Sequence, residues 1–503
     1  MRINEIEVDL ERAGVTFNPN TDQITAVEEL AKFLNKNDPR RTAILSGSAG
    51  TGKTACTKIL LAYVRQLGYR KSYATVLAAP THKAKTVLKQ LSGGVIDVIT
   101  LHKLLGLRPD VNVEEFDATD IEFYEGELFS EGLEGNEDTL FILDESSMIN
   151  NYLFDFILSK LLEMNPNNKI LFVGDHKQLK PVKQTEISKV FTHCDLKVFL
   201  TKVERVIGGS VILEEINALR DVPAEIFTTN VNDVSGIIVH PTGKEFMYAC
   251  REAFNVARIQ EDSVFCKVLA FTNKRVNQFN IAVKKALKHT ASLSLGGIYA
   301  GNGTYKAPYT VSKHSLAYKK YIKCRTQDVD MYESNPTIYD SADYILQYME
   351  KTTINIPYFQ EDVPAYYVEL YDTVDSLINV FYVLDPELPA DFYDRLGSTI
   401  ENIRLRAIDK ATPYKSRKTY WSMWYNINDS FTSMFPLYYS GRIIRKANLI
   451  HGYATTVHKS QGSSYNKVFV DINNINTCID TEFRRELQYV ALSRARSHIH
   501  ILQ

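Results

Sequence analysis

Residues 41–67 read Arg41-Thr-Ala-Ile-Leu-Ser46-Gly47-Ser48-Ala49-Gly50-Thr51-Gly52-Lys53-Thr54-Ala-Cys-Thr-Lys-Ile-Leu-Leu-Ala-Tyr-Val-Arg-Gln-Leu67. An apolar run of strand length, Arg41–Ser46, enters a glycine-rich turn, and Lys53–Leu67 spaces its apolar residues at helical intervals. The turn matches G-x-x-x-x-G-K-[ST] between a strand and a helix, the context the motif requires. Its glycines let backbone N–H groups close around phosphate oxygens, and the helix amino terminus adds partial positive charge. Gly47, Ser48, Ala49, Gly50, Thr51, Gly52, Lys53 and Thr54 are therefore expected to hold a nucleotide. Lys53 is expected to reach the β- and γ-phosphates, and the Thr54 hydroxyl to ligate Mg²⁺.

Such a site needs a second strand ending in a carboxylate. Leu140-Phe-Ile-Leu-Asp144-Glu145 supplies it. Asp144 is expected to hold the metal shell, and Glu145 to orient and deprotonate the attacking water. A third strand ends in Leu171-Phe-Val-Gly-Asp-His-Lys-Gln178, whose Gln178 is suited to sensing the γ-phosphate or that water.

Further outward the alternation continues. Ser72–Ala78, Thr139–Leu143 and Lys169–Val173 read as strands, and His82–Leu91 and Tyr152–Met164 as helices. A later set comprises Val268–Phe271, Lys274–Leu287, Lys467–Asp471, Glu486–Arg494 and His498–Leu502. Strands alternating with helices predict parallel sheets covered on both faces, in two separate α/β units.

The length of 503 residues exceeds one core at roughly 100–200 residues per domain. Apolar and charged contents of 45% and 23% exclude a disordered or low-complexity scaffold. Lys plus Arg is 58 against 60 for Asp plus Glu, a net −2, so any nucleic-acid or membrane site must be a local patch. Six cysteines without CxxC spacing exclude a disulfide framework or zinc ribbon and suit a reducing cytosol. No apolar run approaches the roughly 18 residues of a membrane span, and the amino terminus lacks the apolar run of a signal peptide. These features predict a soluble, intracellular protein with no membrane partner.

Two stretches interrupt the pattern. Asp110 to Asp138 carries twelve carboxylates, with no basic residue between Arg108 and Lys160. Residues 291–445 hold 20 of the 29 tyrosines and both tryptophans, Trp421 and Trp424, which predicts an inserted β-rich domain. Within it Lys410–Trp424 interleaves charge with rings. That pattern suits a nucleic-acid surface, and equally the packing of a small β domain.

The ordered motifs resemble those of superfamily 1 helicases in their RecD-like branch, with its Dda-like phage members. Phe17-Asn-Pro-Asn-Thr-Asp-Gln23 resembles the Q motif, whose glutamine reads the adenine edge. Ala79-Pro-Thr81-His82 and Thr100-Leu-His102 resemble motifs Ia and Ib, and Asp144-Glu145 and Gly174–Gln178 resemble motifs II and III. Leu200–Arg205 resembles motif IV, Ala270–Lys274 the next block, Thr455–Gly462 motif V and Tyr489–Arg494 motif VI. The set spans nearly the whole chain. One departure is Glu204, where many members carry an aromatic residue that stacks on adenine.

The resemblance implies two RecA-like parallel-sheet motor domains, residues 1–107 with 136–195, and 196–290 with 446–503. It implies a β-hairpin pin, 108–135, inserted in the first and a β-rich, SH3-like subdomain, 291–445, in the second. ATP and Mg²⁺ are the implied cofactors. Gln23 and Gly462 join the nucleotide contacts, and Arg205 and Arg494 reach the γ-phosphate from the second domain. An arginine supplied this way contributes about 10³–10⁵ in rate. The implied DNA track is Thr81, His82, Thr100, His102 and Pro109, then Thr272, Asn273, Thr455 and His458, making sequence-blind phosphate contacts. On residues alone each hydroxyl reads equally as a helix cap and each histidine as core. Phe123 is the implied strand-separating wedge. The implied activity is 5′→3′ translocation on single-stranded DNA and duplex separation at a fork, by a monomer in a bacterial host cytoplasm. Forked DNA, and a single-stranded-DNA-binding protein or replisome components, are the implied partners. A DNA-stimulated NTPase switch in a replication or recombination complex is the alternative from another class, and RNA translocation a third.

Overall fold

The computed structural model describes residues 2–3, 6–15, 18–67, 73–80, 84–85, 88, 98–107, 137–181, 184, 186–202, 211–219, 222–233, 235–309, 331–359, 361–409 and 411–503. The chain divides into two units, Met1–Pro241 with Leu269–Phe271 and Thr456–Gln503, and Thr242–Val268 with Thr272–Thr455.

In the first unit six strands form one sheet: β1 Thr42–Gly47, β2 Ala74–Ala79, β3 Val98–Thr100, β4 Thr139–Leu143, β5 Lys169–Gly174 and β6 Leu196–Leu200. Their order is β3-β2-β4-β5-β1-β6, with every neighbouring pair parallel. Helices α1 (Thr21–Phe33), α2 (Lys53–Gln66) and α3 (Asn151–Met164) cover it. Successive residues of β1 point to opposite faces. Leu45 joins Val27, Leu30, Ile59 and Leu60, whereas Ile44 joins Phe141, Leu153 and Ile157 of the other layer. A sheet buried on both faces explains the unbroken apolar runs read in β1, β4 and β5.

The expected domain border at 195/196 falls one strand too early. Leu196–Leu200 pairs in parallel with β1, from Ala43↔Leu196 to Gly47↔Leu200, and closes the first sheet. As an edge strand it buries only Val198 and Leu200, although four of its five residues are apolar. Of the expected helix His82–Leu91, Ala84, Lys85 and Leu88 are described and helical. The expected hairpin at 108–135 lies outside the described residues.

A second parallel set in this unit comprises β7 Gly236–His240, β8 Tyr465–Asp471 and β9 Ala495–Leu502, with β9 central. Helix α4, Thr481–Leu492, leads into β9 and buries eight consecutive residues from Arg485 to Leu492.

The second unit contains helices Gly243–Ile259 and Asn273–Ala286 and a five-stranded antiparallel sheet. The sheet runs Leu377–Leu384, Asp362–Asp372, Asp343–Asn355, Ile298–Gly301, Leu449–His451. Tyr299, Tyr344 and Tyr367 are almost wholly buried, which accounts for part of the tyrosine content. Lys267 and Asp343 form a buried ion pair at 2.9 Å, and Lys267 also donates to the Gly452 carbonyl. The β-rich expectation needs a correction, because two long helices, Ala390–Ile408 and Tyr414–Asn428, follow the sheet. The first shows helical spacing in Phe392, Leu396, Ile400 and Ile403. The second buries only Ile427 and has no apolar stripe to read. The five described cysteines are free, and among the described residues no helix is long and apolar enough to cross a membrane.

Candidate nucleotide site

β1 ends at Gly47 and α2 begins at Lys53, so the loop between them sits at the carboxyl edge of the sheet. Gly52 has φ +90°, and a Cβ there would lie 2.2 Å from Gln23 Nε2, so both backbone conformation and space demand glycine. The Lys53 ammonium turns back onto its own loop, donating to the carbonyls of Gly47 at 2.5 Å and Ser48 at 3.1 Å. Thr51 Oγ1 also donates to Ser48 O at 2.8 Å. Ser48 Oγ is buried without a hydrogen-bond partner.

Gln23 is fully buried against this loop. Its Nε2 donates to Thr51 O at 2.9 Å and its Oε1 accepts from Asn20 N–H at 3.1 Å, inside the capping box of α1. Both ends of the amide are thus engaged by protein, and the residue expected to read adenine braces the phosphate loop here.

Asp144 and Glu145 follow β4. Glu145 holds φ +51°, a left-handed conformation that costs a non-glycine residue of order 1–3 kcal/mol and marks a constrained site. Asp144 keeps some exposed surface, yet protein crowds it on most sides. Burial, then the neighbouring Glu145 charge, push its carboxyl up to about 7, with Lys53 opposing. Gln178 Oε1 accepts from Ser147 Oγ at 3.4 Å, linking the third motif to the turn after Glu145. Thr54 is exposed at the start of α2.

Reading the residues missed Tyr489. It lies on α4, fully buried, five positions before Arg494. Its hydroxyl donates to Asp175 Oδ2 at 2.6 Å and accepts from Ala49 N–H at 3.2 Å. The phosphate loop, motif III and α4 therefore meet at one oxygen. The signal lies in the sequence, since Tyr489 opens motif VI five residues before its arginine. Arg494 is 6% exposed and donates to Val490 O at 3.1 Å and Ser463 O at 3.3 Å. Gly462 has φ +69°, and on either side of it Gln461 Nε2 and Ser463 Oγ are buried without partners. A buried hydroxyl and amide awaiting partners, an ammonium held only by carbonyls and two adjacent carboxylates fit a nucleotide with its metal ion.

The expected track residues are scattered in role. Thr100 accepts from Lys103 N–H at 3.3 Å, and Thr272 caps Asn273–Ala286 by accepting from Arg275 N–H at 3.3 Å. Asn273 opens that helix, and Thr455 lies half-buried in the strand Ala454–Thr456. The His458 ring packs 5.6 Å from Phe483 and 6.5 Å from Phe271, and burial lowers its pKa. The backbone of His102 is helical, and its side chain is not among those described. Thr81, His82, Pro109, Phe123 and Arg205 lie outside the described residues.

Residues 18–228 match the AAA domain family and residues 451–502 the UvrD-like helicase C-terminal domain family. The ATP-dependent DNA helicase dda of Enterobacteria phage T4 is 25% identical, over 90% of this chain and 92% of that one. The RecBCD enzyme subunit RecD of Buchnera aphidicola is 22% identical, over 91% of this chain and 69% of that one. The Pif1 helicase of Candida albicans superposes with a TM-score of 0.45 at 16% identity, covering 97% of this chain and 95% of that chain.

Proposed function

We propose a working cycle for a chain that belongs to the superfamily 1 helicases of the RecD- and Dda-like branch and is an ATP-dependent DNA helicase. It moves 5′→3′ on single-stranded DNA and separates the duplex at a fork. The observation that carries the coupling is the Tyr489 hydroxyl, which occupies the Ala49 amide that a phosphate oxygen needs.

Entry of the nucleotide draws Lys53 from the Gly47 and Ser48 carbonyls to the β- and γ-phosphates, and the Ala49 N–H exchanges the tyrosine oxygen for a phosphate oxygen. The Tyr489 hydroxyl then keeps its bond to Asp175 and gives up the one to Ala49, and α4 carries Arg494 from Ser463 to the γ-phosphate. Glu145 takes the proton of the attacking water, and its fixed backbone keeps the carboxylate aimed. Mg²⁺, held by Thr54 and Asp144, would neutralise charge developing on the transferred phosphoryl. Gln178 reports the water to the Glu145 turn through Ser147. Thr100, Thr272, Asn273, Thr455 and His458, with Thr81, His82, His102 and Pro109, grip the strand, and Phe123 divides the duplex.

ATP-dependent unwinding of one partial duplex with a 5′ tail and one with a 3′ tail, with Lys53→Ala as control, tests this. Opening of the 5′-tailed duplex alone is expected. Opening of the 3′-tailed one alone reverses the polarity. If neither opens while DNA still stimulates hydrolysis, the switch-subunit reading replaces the motor.

A further inference from the structure

The helix Tyr414–Asn428 carries Lys415, Arg417 and Lys418 and no carboxylate, in a chain of net charge −2. It also carries both tryptophans of the chain. One side is explained by packing: Tyr420, Met423 and Trp424 lie against the core of Phe392, Leu396 and Ile400. The other side is more open, although Trp421 and Tyr425 each touch the Trp424 ring, at 5.8 and 5.1 Å between centroids. Tyr414, Arg417, Lys418, Trp421 and Tyr425 recur at three- and four-residue intervals and so share a face. Tyr414 is 74% exposed and Tyr425 43%. The Arg417 guanidinium lies 5.9 Å from the Tyr414 ring centroid, and Trp421 lies 6.3 Å from Tyr425, tilted by 35°.

We propose that this face is a second contact for single-stranded nucleic acid, outside the motor. The inference rests on the helicase reading above and adds a site to it. Planar rings alternating with cations are what a strand of stacked bases and phosphates takes. A lipid surface calls for a broad aliphatic face, which this helix lacks. An acidic protein would use the cations and leave the rings unexplained. Tyr414 to Trp421 spans about 10 Å along the axis at 1.5 Å per residue, room for two or three nucleotides.

Because the only tryptophans sit on this helix, their emission reports it directly. Full-length protein is titrated with an oligothymidylate, following tryptophan emission, DNA anisotropy and ATPase. Quenching is expected, retained in Trp424→Phe and lost in Trp421→Phe. Lys415→Ala with Lys418→Ala should lower the salt slope of binding by about 1.4, two single-strand phosphate contacts. Trp421→Ala should weaken binding on the order of tenfold. Circular dichroism melts verify folding, and Trp421→Phe keeps the ring volume if the alanine variant unfolds. Stimulated ATPase with unmoved emission and unchanged affinity in the variants overturns this site and leaves the helicase. DNA that neither binds nor stimulates overturns both. Quenching by anionic vesicles but not by DNA also overturns it.

Discussion

The phosphate loop and the helix Tyr414–Asn428 sit at opposite extremes of constraint. Around the loop, Gln23 is clamped between Asn20 and Thr51, Lys53 is held by two carbonyls, and one tyrosine oxygen joins Ala49 to Asp175. The helix buries Ile427 and leaves Lys415 and Lys418 exposed. Holding phosphate requires backbone N–H groups at fixed points, which forces residue types at fixed spacing. Covering a small core requires only that something apolar arrive, which many sequences satisfy.

If that contrast is right, changes around the loop act on rate and changes in the buried core of the second unit act on stability. The largest effect is expected for Arg494→Ala. Loss of an arginine at the γ-phosphate lowers kcat by about 10³-fold or more. Arg494→Lys rescues little, because a point charge does not reproduce the guanidinium fork. Hydrolysis within about tenfold of wild type would reduce Arg494 to the packing role its contacts with Val490 and Ser463 already describe.

Next comes Lys267→Met in the second unit. Removing the ammonium opposite buried Asp343 costs about 3–5 kcal/mol, read as a lower melting temperature. Below the melt, ATP turnover should be unchanged. A variant that is folded by circular dichroism yet slow would break the contrast.

The same contrast governs what was legible. Gly47–Thr54 and Leu140–Glu145 fixed the first sheet and its site, because an apolar run followed by obligatory chemistry has few other readings. β6 is apolar at four of five positions but carries no such chemistry, so nothing in its sequence says which sheet it joins. The helix Ala390–Ile408 is masked by the aromatic, strand-like composition of the stretch around it, although its own apolar residues keep i, i+4 spacing. Tyr489 escaped for another reason: its role lies in Ala49 and Asp175, 440 and 314 residues away in sequence, and no local pattern encodes such a pairing.

Tyr489→Phe sharpens the point. The ring still fills its site, while Asp175 loses this donor, at about 1–3 kcal/mol. We expect DNA stimulation of ATPase to fall about tenfold and the melting temperature to drop by only a few degrees. Equal loss of DNA-stimulated and basal rates would make the tyrosine a brace, with no share in coupling.

The smallest effect is a pH dependence that separates Asp144 from Asp343. Asp343 faces a cation, whereas Asp144 faces Glu145 and is pushed by burial and that charge up to about 7. Between its ordinary value of 3.8 and about 7 the native protein keeps a proton that the unfolded chain has released. Folding therefore takes up a proton, and stability without nucleotide falls as pH rises through that window. Glu486, also pushed up to about 7 by burial, acts in the same direction. Asp144→Asn should flatten the fall of melting temperature from about pH 5 to pH 7 in part, and Asp144→Asn with Glu486→Gln further. A metal ion competes for the same carboxylate, so Mg²⁺-dependent nucleotide affinity should strengthen across that range in the wild type. Parallel melting curves for wild type and Asp144→Asn would mean that Asp144 is already ionised, and that the nucleotide site stores no more electrostatic cost than the second unit.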